Sequence, residues 1–226
     1  MAARRILLTG IGGSIGTGAL HALRASGDEV IGLAHLPGED ASIVADFTDF
    51  DALAKAVKSV AAPLDGVVLA HGILEPGPIE NVPPDRWCRM MDVNINSLYA
   101  IIHTALPSLR DGASIVVVSS TAAFDHSPVG GPHYTASKWA VNGMVRHLAF
   151  DFGARRIRIN AICPGLVEGP MGHALLTPEQ YAGALPEIPL GRAAAPSEIA
   201  DLVMFLLGPA SSYMTGALIP ISGGYR

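Results

Sequence analysis

The sequence predicts a single α/β domain, in which helices cover both faces of a doubly wound parallel sheet of about seven strands. Short apolar runs alternate along the chain with longer amphipathic segments, and this alternation is typical of strand–helix–strand units. The apolar runs are continuous, as expected for strands that are covered on both faces. The chain has 226 residues, of which 50% are hydrophobic, so it suits one core better than two unrelated domains.

Seven short segments are predicted to be strands, because each is apolar and is bounded by glycine, proline or polar residues. The connection before the third contains Pro37 and Gly38 and is too short for a crossover helix. The predicted strands cover residues 4–9, 29–34, 42–45, 66–70, 114–119, 157–162 and 217–220. Since ligands of such sheets bind beyond the carboxyl ends of the strands, functional residues are expected just after them.

Five longer segments carry apolar residues at helical spacing, and Asp49 is a candidate N-cap of the second. The predicted helices cover residues 14–25, 50–61, 85–109, 133–152 and 198–207. Residues 164–196 are rich in glycine and proline and are weakly periodic. We therefore interpret a segment of about 165–195 as a substrate loop or lid on a single domain that spans residues 1–226.

Composition argues against several functional classes. A net charge of −5 with 15% charged residues gives no sign of a nucleic-acid-binding surface. No apolar run approaches the roughly 18 residues of a transmembrane helix, so we expect a cytoplasmic protein without a membrane partner. The spacing of Cys88 and Cys163 favours reduced packing thiols over a disulfide. The eight histidines form no metal-ligand pattern, and no metal is predicted.

A glycine-rich turn, Thr9-Gly-Ile-Gly-Gly-Ser-Ile-Gly16, joins the first strand to the first helix. Such a turn presents backbone N–H groups and the positive end of a helix to a pyrophosphate. Glycine also lets the backbone approach the phosphates closely. Many α/β proteins use glycines merely to turn the chain, so it is the position after the first strand that favours a dinucleotide site.

Tyr134 and Lys138 are spaced so that they lie on one face of a helix. A lysine ammonium beside a phenol favours the phenolate, so we expect the pKa of Tyr134 to be lowered from about 10. Tyr134 could then give a proton to a carbonyl, or take one from an alcohol, near neutral pH. The alternative is an ordinary surface tyrosine and lysine on an amphipathic helix.

Ser119 and Ser120 end the fifth predicted strand, at the edge where ligands bind. A hydroxyl there can polarise a substrate oxygen; alternatively, the two serines satisfy loop amides. Asn94 lies inside the third predicted helix, where asparagine is mildly unfavourable. It is therefore a candidate for a polar role in the site, whereas Asn96 is interpreted as a solvated helix position.

In order along most of the chain, these segments resemble the signatures of the classical short-chain dehydrogenase/reductase family. The glycine-rich turn matches the family's Thr-Gly-x-x-x-Gly-x-Gly at Thr9, Gly10 and Gly16, and Val93-Asn94 and Tyr134-x-x-x-Lys138 match two further signatures. Residues 160–167 look like the family's segment over the nicotinamide, and residues 213–224 look like its C-terminal strand. The resemblance implies a Rossmann-like fold and an NAD(P)-dependent oxidoreductase.

The resemblance also implies catalytic roles. Tyr134 exchanges the proton, Lys138 lowers its pKa and holds the ribose, Ser120 orients the substrate oxygen, and Asn94 holds a water that links Lys138 to solvent. Ser120 lies one residue further from Tyr134 than the family's serine does. Two alternatives are therefore Thr121, which has the family's spacing, and Ser119, which is next to Ser120. We choose Ser120 and assume one extra loop residue.

A dinucleotide site follows from the same resemblance. The residues predicted to bind the cofactor are Gly10, Ser14, Ile15, Gly16, His35, Asp46, Phe47, Ala70, Gly72, Tyr134, Lys138, Pro164 and Val167. Asp46 resembles the family's adenine-contacting aspartate, with a loop-capping aspartate as the alternative. The second strand is followed by His35 and not by the carboxylate that accepts the ribose hydroxyls of NAD. Since His35 is the only candidate partner for the extra phosphate of NADP, NADP is narrowly favoured over NAD.

Three positions depart from the family pattern. Ser14 stands where glycine is usual, and its side chain either crowds the pyrophosphate or donates a hydrogen bond to it. Residues 69–72 read Leu-Ala-His-Gly in place of Asn-Asn-Ala-Gly, so the strand ends must be braced differently. His71 is interpreted as a packed histidine bonded to backbone, with a new acid–base group as the alternative. Gly169 stands where a threonine commonly contacts the carboxamide.

The predicted reaction is reversible hydride transfer between the nicotinamide and a small carbonyl or secondary alcohol. Met171, Leu175, Leu176 and Tyr181 suggest an apolar wall of the substrate pocket, or they simply pack the lid on the body. A cofactor-binding redox sensor and a non-redox enzyme, such as a dehydratase or epimerase, are the alternatives. The resemblance further implies a homo-oligomer, either a tetramer or a dimer.

Overall fold

The strands of this chain form one seven-stranded parallel sheet. The computed structural model describes residues 3–38, 40–60 and 63–225. The strands are β1 (Arg5–Thr9), β2 (Glu29–Ala34), β3 (Ile43–Val44), β4 (Leu64–Leu69), β5 (Leu109–Val118), β6 (Arg158–Pro164) and β7 (Leu218–Ile221). They lie in the order β3-β2-β1-β4-β5-β6-β7, which confirms the predicted doubly wound architecture.

Helices pack on both faces of this sheet, as predicted. They are α1 (Ser14–Ala25), α2 (Phe50–Lys58), α3 (Pro84–Met91), α4 (Ser97–Ala105), α5 (Pro132–Asp151), α6 (Pro170–Leu175), α7 (Pro178–Ala184) and α8 (Pro196–Leu207). One apolar cluster joins α1 and α8 to the sheet, and the other joins α2, α4 and α5 to it. Leu7 belongs to one cluster and Leu8 to the other, and both are fully buried. Each contributes about 1.5–3 kcal/mol of hydrophobic free energy.

The prediction of one helix over residues 85–109 is wrong at its C-terminal end, and the observed chain is irregular in the middle of this range. α3 passes into a π-helical turn, Asp92–Asn96, and α4 then ends at Ala105. Pro107 lacks the N–H group that a continuing helix needs. Leu109 instead begins β5 by pairing with Leu64 of β4. Apolar residues at helical spacing continue past Ala105, which is why the pattern predicted too long a helix.

β5 begins five residues before its predicted start at residue 114, and the remaining boundaries differ from the predictions by three residues or fewer. α1 and β2 have the predicted ends, and β3 is shorter than predicted. Asp49 caps α2 by accepting a hydrogen bond from the Ala52 N–H (2.9 Å). α2 ends at Lys58, and Ala61, where we predicted its end, lies outside the described residues.

The 165–195 segment contains more regular structure than predicted. Both α6 and α7 lie in it, and each begins with proline, which has no N–H group to leave unpaired in the first turn. Thr177 and Gln180 form a capping box at the start of α7. The two ends of the segment are joined by a parallel β-bridge between Val167 and Ala194. The segment is therefore partly helical rather than an irregular loop.

The carboxyl ends of β1, β4, β5 and β6 meet at one edge of the sheet, because these four strands are parallel neighbours. The glycine-rich turn, the loop that holds Gly72, and Ser120 all follow directly after strands of this group. The fold thus collects the predicted functional residues at one place. In the part of the chain that the structure describes, every helix is too short or too polar to cross a membrane.

Candidate active site

A cavity of about 580 Å³ opens at this edge of the sheet. Its walls come from the start of α1, from the residues that follow β4, β5 and β6, from the first turns of α5 and from the 165–195 segment. The predicted site residues that line it are Ser14, Ile15, Ala70, Gly72, Ser120, Tyr134, Lys138, Pro164 and Val167. Residues that are far apart in sequence are therefore brought into one pocket.

Tyr134 and Lys138 lie on one face of α5, as their spacing predicts, and both side chains are buried. The Lys138 ammonium lies 5.7 Å from the centre of the Tyr134 ring. It donates a hydrogen bond to the Val118 carbonyl at the end of β5 (3.2 Å). The Ser120 hydroxyl stands close enough to the Tyr134 phenol to lower its pKa. A phenol, an ammonium and a hydroxyl thus meet at the cavity wall, which is a set that can move a proton to or from a bound oxygen.

The pKa of Tyr134 is shifted in the direction opposite to the prediction. Burial raises this pKa, and the nearby Ser120 hydroxyl opposes that effect without cancelling it. The predicted lowering of this pKa by Lys138 is not found; the Lys138 ammonium bonds the Val118 carbonyl. Burial also lowers the pKa of Lys138 to about 8, against a smaller opposing effect of Cys163. The lysine is therefore the group of this pair that titrates closest to neutral pH.

Ser120 is the hydroxyl after β5 that lies beside Tyr134. It accepts a hydrogen bond from the Ala122 N–H (3.1 Å), which leaves its own hydrogen free to donate. Ser119 is buried, and its hydroxyl donates to the Lys138 carbonyl (3.5 Å), so it braces α5 against β5. Thr121 also lines the cavity, as the first residue of a short turn that Ser120 caps. The geometry favours Ser120 over both alternatives.

Asn94 lies in the π-helical turn, and its side chain holds the loop that follows β4. Its Oδ1 accepts from the Ile73 N–H and its Nδ2 donates to the Ile73 carbonyl (both 2.8 Å). Nδ2 also donates to the Ser137 hydroxyl of α5 (3.1 Å). A Cβ built on Gly72 would lie 3.2 Å from Asn94 Oδ1 and 3.6 Å from Lys138 Nζ. Asn94, Gly72 and Lys138 are thus neighbours, at a π turn of the kind that often marks functional sites.

His71 is a packed histidine, but its partners are side-chain hydroxyls rather than the backbone groups that we predicted. Nδ1 lies 2.6 Å from the Thr9 hydroxyl, and Nε2 lies 2.8 Å from the Ser97 hydroxyl. Since Ser97 itself donates to the Val93 carbonyl, it must accept from Nε2–H, and this assigns the neutral tautomer. Burial, followed by the Lys138 charge, lowers the pKa of His71 to about 3. This neutral ring braces β1 and β4 against α4, in a chain that lacks the family's asparagines.

The glycine-rich turn has a close backbone packing that only glycine permits. Gly10 has a φ of 73°, and a Cβ there would lie 2.6 Å from the backbone of Ala70. A Cβ on Gly16 would overlap the Gly10 carbonyl, so α1 can start this close to β1 only with glycine at position 16. The side-chain position of Gly12 is open. Bare backbone at the start of α1 therefore forms a cradle that fits the diphosphate of a dinucleotide.

His35, Asp46 and Phe47 lie together near the end of β2, on the side of β1 away from Tyr134. His35 Nδ1 is 4.0 Å from Asp46 Oδ1, and both side chains are exposed. The same oxygen accepts hydrogen bonds from the N–H and the hydroxyl of Thr48 (both 2.8 Å), and these bonds lower the pKa of Asp46. Asp46 therefore caps its own loop, which was the alternative prediction to a contact with adenine. Phe47 is buried and stacks on His71 at 4.1 Å.

The sequence patterns missed a part of the cavity wall, which consists of Ile73, Leu74, Val129, Ile188 and Tyr225. Tyr225 reaches the cavity because the chain turns back after β7, with Gly223 and Gly224 at φ 63° and 90°. The Ser-Gly-Gly sequence at residues 222–224 was the available signal for that turn. Met171, Leu175 and Leu176 line the cavity as predicted. Tyr181 instead stacks on His173 at 4.8 Å.

Metal binding finds no support in residues 3–38, 40–60 and 63–225, where no three His, Cys, Asp or Glu side chains are grouped to hold an ion. His133, next to Tyr134, is buried with Nε2 3.9 Å from Glu75.

Cys163 is a buried thiol whose pKa is raised to about 11 by burial. Cys88 is exposed, so only one of the two cysteines is the packing thiol that we predicted.

Known proteins match this chain over most of its length. A family model described as enoyl-(acyl carrier protein) reductase matches residues 10–226. The 3-oxoacyl-[acyl-carrier-protein] reductase FabG of Thermotoga maritima is 35% identical over 196 residues, which cover 84% of this chain and 78% of that protein. L-xylulose reductase of Bos taurus is 29% identical over 238 residues, covering 100% of this chain and 97% of that protein. Both relatives are named as reductases.

Solved structures agree with the fold over the whole sheet. A short chain dehydrogenase family protein of Francisella tularensis has a TM-score of 0.90 and 32% identity, and 99% of each chain is covered. A blue fluorescent protein from a metagenomic library, solved in complex with NADPH, has a TM-score of 0.90 and 28% identity, with 99% of this chain and 98% of that one covered. A 3-oxoacyl-[acyl-carrier protein] reductase of Brucella melitensis with bound NAD has a TM-score of 0.89 and 29% identity, with 99% and 91% covered.

Proposed function

This chain belongs to the short-chain dehydrogenase/reductase family of oxidoreductases, and from that premise we propose that it catalyses reversible hydride transfer between NAD(P) and a small carbonyl or secondary alcohol. The observation that carries the proposal is the grouping of the buried Tyr134 and Lys138 with the half-buried Ser120 at the wall of the cavity. The glycine cradle opens into the same cavity through Ser14 and Ile15. Redox chemistry needs both features in one pocket.

The residues that would hold the dinucleotide run along the carboxyl edge of the sheet. Gly10, Ser14, Ile15 and Gly16 form the cradle for the diphosphate; His35, Asp46 and Phe47 serve the adenosine end; Ala70, Gly72, Tyr134, Lys138, Pro164 and Val167 serve the nicotinamide end. NADPH and NAD in two structural neighbours support this choice of ligand. Bound nicotinamide supplies the hydride to a carbonyl or accepts it from an alcohol.

Proton transfer is assigned to the chain's own side chains. Ser120, whose hydroxyl hydrogen is not used by the Ala122 contact, donates to the substrate oxygen and orients it. Tyr134 gives its proton to that oxygen during reduction and takes it back during oxidation. The buried Lys138 ammonium can return a proton to the tyrosine, and it stands beside Gly72 and Asn94. Asn94 fixes the loop through which a water can connect this lysine to solvent.

The pH profiles of kcat/KM should have opposite slopes for carbonyl reduction and for alcohol oxidation. Lys138 has a pKa of about 8 and Tyr134 has a raised pKa, so the first proton is lost from Lys138. Below that pH the pair holds both protons and can donate, so kcat/KM for reduction is level there and falls by up to about tenfold per pH unit above it. For oxidation, kcat/KM rises as the pH increases towards about 8 and then levels. Profiles recorded in both directions from about pH 6 to about pH 10 check this, and flat profiles would contradict it.

NADP is proposed as the preferred cofactor, by a small margin. No carboxylate ends β2, and the exposed His35 ring stands there instead. The Asp46 carboxylate lies 4.0 Å from this ring and would repel a phosphate bound there. We therefore expect NADPH to bind only about twofold to fivefold more tightly than NADH. Titration of the fluorescence of Trp87 and Trp139 measures both constants. His35→Ala should remove the difference by weakening NADPH alone, and an equal loss for both cofactors would contradict the assignment.

The 165–195 segment is proposed as the lid of a pocket for small substrates with an apolar part, because Met171, Leu175 and Leu176 line the cavity.

A homo-oligomer is also proposed. Phe150 and Tyr213 are 91% and 103% exposed and are candidates for contacts between subunits. Light scattering in solution distinguishes an oligomer from a monomer of 23.4 kDa.

Turnover tests the proposed function directly. The protein is incubated with NADPH or NADH and a panel of small ketones and aldehydes, and oxidation of the cofactor is followed by its absorbance. We expect consumption of cofactor that depends on the carbonyl compound. Tight binding of cofactor with no turnover on any carbonyl or alcohol would instead favour the redox sensor that we considered as an alternative.

A further inference from the structure

The loop that precedes α5 lies directly against the ring of Tyr134. A Cβ built on Gly130 would lie 2.7 Å from Tyr134 Cδ1 and 2.9 Å from Tyr134 Cγ, well inside the roughly 3.5–4.0 Å at which carbon atoms pack. Gly130 is not among the glycines with a positive φ, so backbone strain does not exclude other residues there. The tyrosine ring, rather than the turn itself, is therefore what requires glycine at this position.

Ser127 fixes this loop to the helix that carries Tyr134. Its hydroxyl oxygen accepts hydrogen bonds from the N–H groups of Gly130 (2.7 Å) and Val129 (3.3 Å), so the side chain closes the turn. Its own N–H donates to the hydroxyl of Thr135 (3.1 Å), which is the residue after Tyr134. The same serine thus sets the position of Gly130 and ties the loop to the first turns of α5.

The start of α5 is also held by the loop that follows β4. The Gly131 N–H donates to the Glu75 carbonyl (2.9 Å), and a Cβ built on Gly131 would lie 2.6 Å from the Gly77 carbonyl oxygen. The Glu75 carboxylate is bound by Arg86 (2.9 Å) and Arg89 (2.8 Å) of α3. The chain before α5 therefore cannot retreat from the tyrosine ring without breaking these contacts.

The ring of Tyr134 is enclosed by its neighbours. Met90 and Ala122 pack against it. The Lys138 ammonium lies 5.7 Å from its centre, and Gly130 bounds it from the loop. Since a misplacement of about 1 Å in a reacting group can cost about 10²-fold in rate, the position of this loop bears directly on proton transfer by the phenol.

We propose that Gly130 and Ser127 are positioning residues for the reaction: Ser127 holds the loop, and the bare backbone of Gly130 lets the Tyr134 ring lie where its hydroxyl reaches the substrate oxygen. This inference rests on the proposed function, because it takes Tyr134 as the group that exchanges the proton. It goes further by assigning a part in catalysis to residues 127–130, which contain no acidic or basic side chain.

Substitution of Gly130 by alanine tests this role. Gly130→Ala should lower kcat for ketone reduction with NADPH by about 10–100-fold, because the added Cβ must displace the Tyr134 ring. The KM for the ketone and the dissociation constant of NADPH should stay within about threefold of the original. We express kcat per NADPH-binding site, counted by fluorescence titration, so that unfolded protein does not contribute.

Gly143→Ala is the matched control on the same helix, because an added Cβ there would meet no atom of the described residues within 4 Å beyond its own helix turn. It should leave kcat per site unchanged. A Gly130→Ala protein with kcat within about twofold of the original would overturn the role of Gly130. A loss of NADPH-binding sites, with kcat per remaining site unchanged, would show that the contact is only structural and would overturn it as well.

Two further variants test the Ser127 hydroxyl. Ser127→Ala should lower kcat per site by about threefold to tenfold, as expected for the loss of a hydrogen-bonding hydroxyl. Ser127→Thr, which keeps a hydroxyl, should restore most of the activity. Equal losses in the two variants would overturn the role of Ser127. If the unaltered protein itself turns over no carbonyl compound, the proposed function fails and this inference fails with it.

Discussion

Replacing Tyr134 by phenylalanine is expected to lower kcat/KM for carbonyl reduction by about 10²–10⁴-fold, while the dissociation constants of NADH and NADPH stay within about twofold of the original. The substitution removes only the phenolic oxygen. The ring is buried against Met90 and Ala122, and those contacts remain. Steady-state kinetics measure the first quantity, and fluorescence titration measures the second.

Tyr99→Phe is the matched control, because it removes the same oxygen from a tyrosine of α4 that is 55% exposed. It should leave turnover and binding unchanged. A Tyr134→Phe protein with full activity would show that another group supplies the proton, and the assignment of the site would be wrong. Loss of cofactor binding together with activity would mean that Tyr134 holds the pocket rather than moves a proton.

The second large effect is expected from Gly16→Ala. A Cβ at this position would overlap the Gly10 carbonyl and lie 2.5 Å from the Gly10 carbonyl carbon. These are backbone atoms that cannot move aside, so the start of α1 must shift away from β1. We expect a loss of about 3 kcal/mol in the free energy of unfolding, a Tm lower by roughly 6–12 °C, and no measurable binding of NADH or NADPH.

Gly12→Ala provides the comparison within the same turn, because nothing lies within 4 Å of the Cβ that it adds. Its thermal unfolding should match that of the unaltered protein to within about 0.5 kcal/mol. If Gly16→Ala is as stable as Gly12→Ala and still binds the cofactor, the close packing of the cradle described above is incorrect.

Much of the fold could be predicted because its strands are buried on both faces. Such strands appear as unbroken apolar runs, and α1 and β2 begin and end where the pattern placed them. The long helix was harder to predict, because apolar residues keep helical spacing as far as Leu109. What ends α4 is Pro107 together with the pairing of Leu109 with Leu64. That pairing depends on the assembled sheet, and no local pattern contains it.

The candidate site was predictable where it depends on spacing along one helix, as for Tyr134 and Lys138. Features that depend on burial were not. The pKa of Tyr134 is raised because the fold removes the phenol from water, and spacing alone suggested the opposite. The hydroxyl partners of His71 come from β1 and α4, which are remote in sequence. The catalytic and cofactor-binding roles stay predictions.

The transfer of a labelled hydride is the measurement that tests the central claim most directly. NADPH and NADH, each deuterated at nicotinamide C4 on either face, are incubated with the protein and a ketone that it turns over. The account predicts deuterium on the carbinol carbon of the alcohol from one of the two labelled faces, with one cofactor oxidised for each alcohol formed. Conversion of substrate with no deuterium transferred and no cofactor consumed would contradict it, and would identify a non-redox enzyme on this fold.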